Sequence, residues 1–339
     1  MTGARSIAVF VSRTMHCRMF RRTLATLVIA TLVVPSAYAS CGASSCPIEL
    51  HALTPFESGM TLDLSFQYID QAHVRSDGSA VDEEHQEMRT INRLTALQFT
   101  MPLSSRFQAG VTVPFVDRSH EHIDLESAQT ERWNFHSLGD IALQGRARLF
   151  ESGTNAPRSL WLTAALKLPT GSESEPAVGG GENSEVMISP GSGSVDAAIG
   201  LAFNGSVVRD TKLEGPFGHS TLIPYFITAA YRHNGKGTDD YRIGHELQLN
   251  GGSQYPINHR VDLLGQLNLR VRGKDDPGQT EENPELTGGT YLYASPGVRV
   301  DIGRSASFYG YVQLPLYQRV NGTQLTSHVN YLAGVRQHF

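Results

Sequence analysis

A chain of 339 residues with 40% hydrophobic side chains and a mean hydropathy of −0.23 can build one large β domain, but it is too polar for a helical membrane protein. Of its 28 basic and 33 acidic side chains, five arginines and no acid fall in residues 1–39, so the remainder carries a formal net charge of −10. That acidic balance excludes nucleic acid as an expected partner, because phosphate binding needs a basic surface.

In chain order, the first feature is the apolar run Leu24 to Val34, preceded by Arg18, Arg21 and Arg22 and followed by Pro35-Ser36-Ala37-Tyr38-Ala39. A basic stretch, a short apolar stretch and an Ala-x-Ala site predict a Sec-type signal peptide over 1–39, cleaved after Ala39. The run is about half of the roughly 20 residues a membrane-crossing helix needs. A start at Met15 or Met19 would shorten the long basic region. Residues 40–59 then read as a periplasmic segment carrying Cys41 and Cys46, and 60–339 as the main domain. In an oxidising compartment a small Cys41–Cys46 disulfide loop is the leading reading. Ligand or redox use and a lipid on Cys41 stay open, although only His51 is near and Tyr38 fits a lipobox poorly.

From Met60 onward the sequence keeps a period of two. In Met60 to Asp70, Leu62, Leu64, Phe66 and Tyr68 alternate with Asp63, Ser65 and Gln67. Segments 89–101 and 106–116 repeat the scheme, and Asp117 to Asn134 reads as a long loop. Gly139 to Leu149 sets Ile141, Leu143, Gly145, Ala147 and Leu149 against Asp140, Ala142, Gln144, Arg146 and Arg148. Segment 159–168 places Lys167 on its polar face, and 192–203 places Asp196 there, with a Gly, Ser and Glu rich loop from Pro169 to Pro190 between them. Strands follow over 222–232, 241–250 (Glu246 on the polar face) and 260–271 (Asp262 and Arg270 there). The last three are 290–302, 306–316 and 328–339.

About a dozen segments share this beat and none condenses into a helix-period stripe. A soluble sandwich is the rival, but the repetition predicts an all-β, closed, up-and-down antiparallel transmembrane barrel of about 12 strands, with apolar faces toward lipid and polar faces toward a wet lumen. Closure removes the sheet edges that lipid could not satisfy. Connections tend to alternate short and long, and the chain stops on Phe339 with Val335, Ala333 and Tyr331 on the same face, which is read as an assembly signal. Tyr68, Tyr225, Tyr231, Tyr241, Tyr331 and Trp133 are candidates for an aromatic girdle.

Gly139-Asp140 opening one strand, Leu168-Pro169-Thr170-Gly171 closing the next and Pro190-Gly191-Ser192-Gly193-Ser194 before another resemble the outer-membrane family named for the meta-pathway of phenol degradation. The layout matches over most of the chain after residue 39, and specific identities over about 138–203. The resemblance implies a barrel that moves small hydrophobic or aromatic compounds and names no binding residue.

The polar faces hold both signs: Arg146, Arg148, Lys167, Arg270, Arg299 and Arg336 against Asp63, Asp140, Asp196, Glu246, Asp262 and Asp301. They read either as a selectivity lining or as pairs that neutralise one another in a wet interior. Gln144 joins this lining set, and Tyr291, Tyr293, Tyr309 and Tyr311 point inward as an aromatic slide or as packing. No cofactor and no metal are expected; His120-Glu121-His122 reads as a solvated outer loop. An enzyme is not expected either, because His136, His245 and His328 carry no recognisable motif and Gly191-Ser-Gly-Ser lacks the Gly-x-Ser-x-Gly elbow. The expected function is an outer-membrane channel for passive passage of small solutes in a Gram-negative envelope. The alternatives are a scaffold barrel docking a periplasmic partner and, behind it, a membrane hydrolase. Expected partners are outer-membrane lipid and lipopolysaccharide, a small solute and the barrel-assembly machinery.

Overall fold

The computed structural model describes residues 48, 59–81, 87–123, 129–153, 156–180, 183–208, 222–280 and 283–339. The signal-peptide reading and the Cys41/Cys46 pair lie outside the described residues.

The first strands are β1 (Thr61–Ser76), the two-residue β2 (Ser79–Ala80), β3 (Glu87–Pro102), β4 (Phe107–Ile123), β5 (Thr130–Leu138), β6 (Ala142–Ser152) and β7 (Arg158–Lys167). They are followed by β8 (Asp196–Val208), β9 (Leu222–His233), β10 (Glu246–Pro256), β11 (Val261–Arg272), β12 (Gly289–Ile302), β13 (Ala306–Val320) and β14 (Thr323–His338). Neighbours in the sheet are antiparallel and follow chain order, and β14 pairs back onto β1 from Thr61↔His338 to Ser76↔Thr323. β5 and β6 share one position in the wall: β4 pairs with β5 along its upper half and with β6 along its lower half. With β2 a short arm on β1, the result is a closed 12-strand antiparallel barrel of the transmembrane kind.

The period-2 pattern decides which side each residue faces. On β11, Leu263, Leu267 and Val271 are exposed on the outer surface, whereas Asp262, Gln266, Asn268 and Arg270 are buried inside. The same division holds for Leu62, Leu64 and Phe66 against Asp63 and Ser65 on β1. The greasy side of this sheet is therefore its outside.

Three loop readings need correction. The expected loop 117–134 is mostly a hairpin, because β4 runs on to Ile123 and β5 starts at Thr130. There the outward positions Asp117, Ser119 and Glu121 are polar, so the apolar beat ends while backbone pairing continues. β10 reaches Pro256 rather than stopping at Asn250. Gly251 and Gly252 hide its rhythm, and a side chain at Gly252 would collide with the Phe226 ring. β13 and β14 likewise meet at the tight turn Asn321-Gly322, so no long loop joins them. Two girdle candidates also fail: Trp133 and Tyr241 are buried, the latter donating its hydroxyl hydrogen to Asp275 at 2.6 Å. Tyr231 and Tyr331 are exposed on the outer face, as are Tyr255 and Tyr317.

Candidate functional site

The candidate site is the barrel interior, which the wall strands line in tiers. At the end where β1 begins and β14 finishes, Arg336 Nε donates to Asp63 Oδ2 at 2.9 Å and the Tyr309 hydroxyl donates to Asp63 Oδ1 at 2.6 Å. Beside them, Arg299 bridges Asp262 at 2.9 Å and Asp301 at 3.3 Å, and Gln254 donates to Asp262 at 2.9 Å. Arg146 and Arg148 lie over the Trp161 ring at 4.7 and 5.6 Å, Arg146 also donating to Gln108.

The middle tier is neutral. Asn250 donates to Thr228 at 3.2 Å, Asn268 to Asn250 at 2.9 Å, and Ser295 to Asn268 at 2.7 Å. Gln266 donates to the Tyr311 hydroxyl at 3.1 Å, Asn330 to Gln313 at 2.9 Å, and Gln144 to Thr112. Asn268, Tyr293, Ser295 and Gln313 are all 0% exposed, so side chains fill the lumen along β11–β13 at this level. By strand number, a 12-strand barrel lies between eight-stranded barrels, whose interior side chains fill, and 16-stranded ones, which leave an aqueous channel.

The third tier, toward the loops, is charged again. Glu246 accepts from Arg270 and lies 3.9 Å from Arg232, and Arg272 donates to Asp275 at 2.6 Å. Tyr291 packs with Tyr293 and Val320, and Gln318 donates to the Tyr293 hydroxyl at 2.7 Å. Across the mouth, Lys167 Nζ lies 2.6 Å from Asp140 and 3.1 Å from Asp196 and also donates to Ser192. Asp140 accepts from the backbone N–H groups of Thr170 at 3.1 Å, Gly171 at 2.9 Å and Ser192 at 3.2 Å. The short motifs singled out in the sequence thus converge on one buried knot. It anchors both ends of the 168–195 segment where β5 breaks into β6. Gly171 and Gly191 cross there backbone to backbone, since a Cβ on Gly171 would sit 2.8 Å from Gly191 Cα.

Between these anchors the segment crosses the mouth. Ala177 and Ile188 pack on Trp133 and Phe135 of β5, Arg118 donates to the carbonyls of Ile188 and Ser189, and Arg272 contacts the sulfur of Met187 at 3.1 Å. His120 and His122 are part of this assembly. They are buried against Trp133, with ring centroids 5.8 and 4.7 Å away, so the reading of a solvated loop is wrong. Their burial follows from β4 continuing above the level where its outward residues are apolar.

Of the lumen candidates named from the sequence, Arg146, Arg148, Arg299 and Asp301 are half-buried and the others are buried. Most of the charged ones meet an opposite charge on an adjacent strand. Period-2 reading missed Arg118 and the apolar patch of Leu264 and Leu332, and singled out only Gln144 among the inward amides. Phe339 lies on the outer surface, its N–H donating to the Met60 carbonyl at 2.9 Å.

No family model matches the sequence, and no curated protein matches it. Among solved structures, the chain is similar to an outer membrane channel from Pseudomonas putida F1, with a TM-score of 0.60 and 12% identity over 86% of this chain and 100% of that one. What they share is the barrel. Weaker likenesses are to the transport unit of the autotransporter AIDA-I from Escherichia coli (TM-score 0.46, 9% identity, 86% and 93% covered) and to a Pseudomonas aeruginosa FadL homologue (0.42, 8%, 91% and 99%).

Proposed function

We propose that this protein is an outer-membrane channel giving passive passage to small solutes, hydrophobic or aromatic ones in particular. The observation that carries the reading is the inverted polarity of the barrel: aliphatic and aromatic side chains cover its outside, while amides, hydroxyls and paired charges fill its inside. Such a surface is stable in hydrocarbon and encloses a polar interior. Because the interior charges are paired, they favour neutral solutes over selection by sign. The resemblance to the phenol meta-pathway family supports the aromatic solute class.

The test is flux through liposomes holding residues 40–339. A phenyl glycoside and a neutral sugar of similar size, both slow to cross lipid unaided, are expected to enter faster than into empty liposomes, with the phenyl glycoside showing the larger excess. Planar bilayers should show discrete conductance steps. Equal rates with and without protein, together with silent bilayers, would leave a non-conducting scaffold as the better reading.

A further inference from the structure

Regular alternation would turn two histidines into the lumen. Ile69 and Gln71 are buried positions of β1, and His73 is next in that beat; Leu332 and Asn330 are those of β14, and His328 is next. Both histidines are exposed instead. The cause lies in the ladder between these strands, where Ile69↔Asn330, Gln71↔Ser327 and His73↔Thr326 are successive pairs. β14 carries an extra residue in the first interval and β1 carries one in the second, so the two bulges cancel and the register is restored beyond them. A bulge re-aims a side chain, and here two of them bring a pair of imidazoles together at the surface, with ring centroids 4.5 Å apart. Neither ring has a hydrogen-bond partner among the described residues. Of the charged groups that act on His73, Asp70 is already held by Arg89 in hydrogen bonds of 2.9 and 2.6 Å, and Arg75 donates to the Gly78 carbonyl. The pair lies on the loop side of the facing tyrosines Tyr68 and Tyr331.

We propose that His73 and His328 form a binding site for a divalent transition-metal ion, which clips β1 to β14 at the closing seam of the barrel. Imidazole nitrogen suits zinc, nickel and copper, whereas calcium and magnesium take oxygen. With metal–nitrogen bonds of about 2.0–2.1 Å, two imidazoles on one ion stand with ring centroids about 4.5–5 Å apart. The bulges already give that spacing, so the rings need to rotate but the strands need not move. Among the described residues no third His, Cys, Asp or Glu is placed to complete a set, so water or an outside ligand takes the remaining positions. Two other histidine pairs lack these features. His245 accepts the Asn234 N–H on Nδ1, which leaves its proton on Nε2, and His120 and His122 are buried. An ion held by the first and last strands favours the closed barrel, because the unfolded chain offers no such pair.

The test takes the untagged protein, extracted from membranes in detergent and stripped of metal, and titrates it with Cu2+ under electron paramagnetic resonance. The first equivalent is expected to show coupling to two imidazole nitrogens. His73→Gln and His328→Gln should each leave one, and should weaken binding about tenfold or more, the least that losing even a supporting group around a metal costs. His233→Gln should change neither readout. Copper should also raise the temperature at which the compact, heat-modifiable band is lost in the wild type, and not in either variant. A further measurement needs no variant: Zn2+ should shield both imidazoles from diethyl pyrocarbonate, read by peptide mass. Coupling to fewer than two nitrogens in the wild type, an affinity unchanged in either variant, or equal modification with and without Zn2+ overturns the site.

Discussion

Lys167 sits between Asp140 and Asp196 with all three side chains buried, whereas Arg89 and Asp70 meet with 49% and 28% of their side chains exposed. The two contacts look alike on a list of distances, and they differ in what removal leaves behind. Lys167→Met would strand two carboxylates where water cannot reach them, so a loss of about 3–5 kcal/mol is expected. Arg89→Ala should cost about 0.2–1 kcal/mol, because solvent screens the pair and hydrates Asp70 afterwards. Urea midpoints of the folded band for the two variants, measured side by side, check this; equal midpoints would mean the knot contributes nothing. At this scale, parity told which way Asp63, Asp140, Lys167 and Asp196 face. It could not tell which of them meet, because Asp63 and Arg336 are 273 residues apart and only closure brings them together.

Strands and loops are legible to the extent that one face is apolar. β1, β6, β7 and β11 were readable for that reason. The upper part of β4 was not, since polar residues stand on both faces once the outer surface is no longer greasy, nor was β5, whose apolar residues Trp133 and Phe135 face inward instead of outward. The connection between β9 and β10 shows a different kind of local order. His245 stacks on His233 with ring centroids 4.4 Å apart, and its Nδ1 accepts the Asn234 N–H at 3.2 Å. Burial, then His233, then Arg242 hold the His245 pKa below its ordinary 6.5. With the folded value depressed, the neutral ring costs nothing above pH 6.5. Stability is lost as pH falls from 6.5 through the lower folded value, because the unfolded chain takes the proton first. An NMR titration of the His245 ring should give a midpoint below 6.5, and His233→Gln should move it upward. A midpoint at or above 6.5 in the wild type would contradict the stacked arrangement.

On the scale of the whole molecule, neighbouring residues on β11 live in opposite media: Leu267 is 54% exposed outside and Asn268 is 0% exposed inside. If hydrocarbon covers the outer surface, Leu267→Arg is expected to cost about 2–4 kcal/mol in lipid vesicles. The same change on a water-facing sheet would cost almost nothing, so unfolding titrations in vesicles distinguish the two. The sequence alone determined the strand repeat, the approximate strand number and, along strands with one apolar face, which side chains lie outside and which inside. Those are properties of a period of two that each strand carries by itself. Only the tertiary structure decided which charges pair, that the 168–195 segment ties down beside β5 and crosses the mouth, and that Ile48 rests among Leu264, Tyr309, Tyr311 and Leu332. Each of those depends on strand stagger and on loops closing over long separations in the chain, and stagger is set by the pairing of every strand around the ring at once rather than by any one of them.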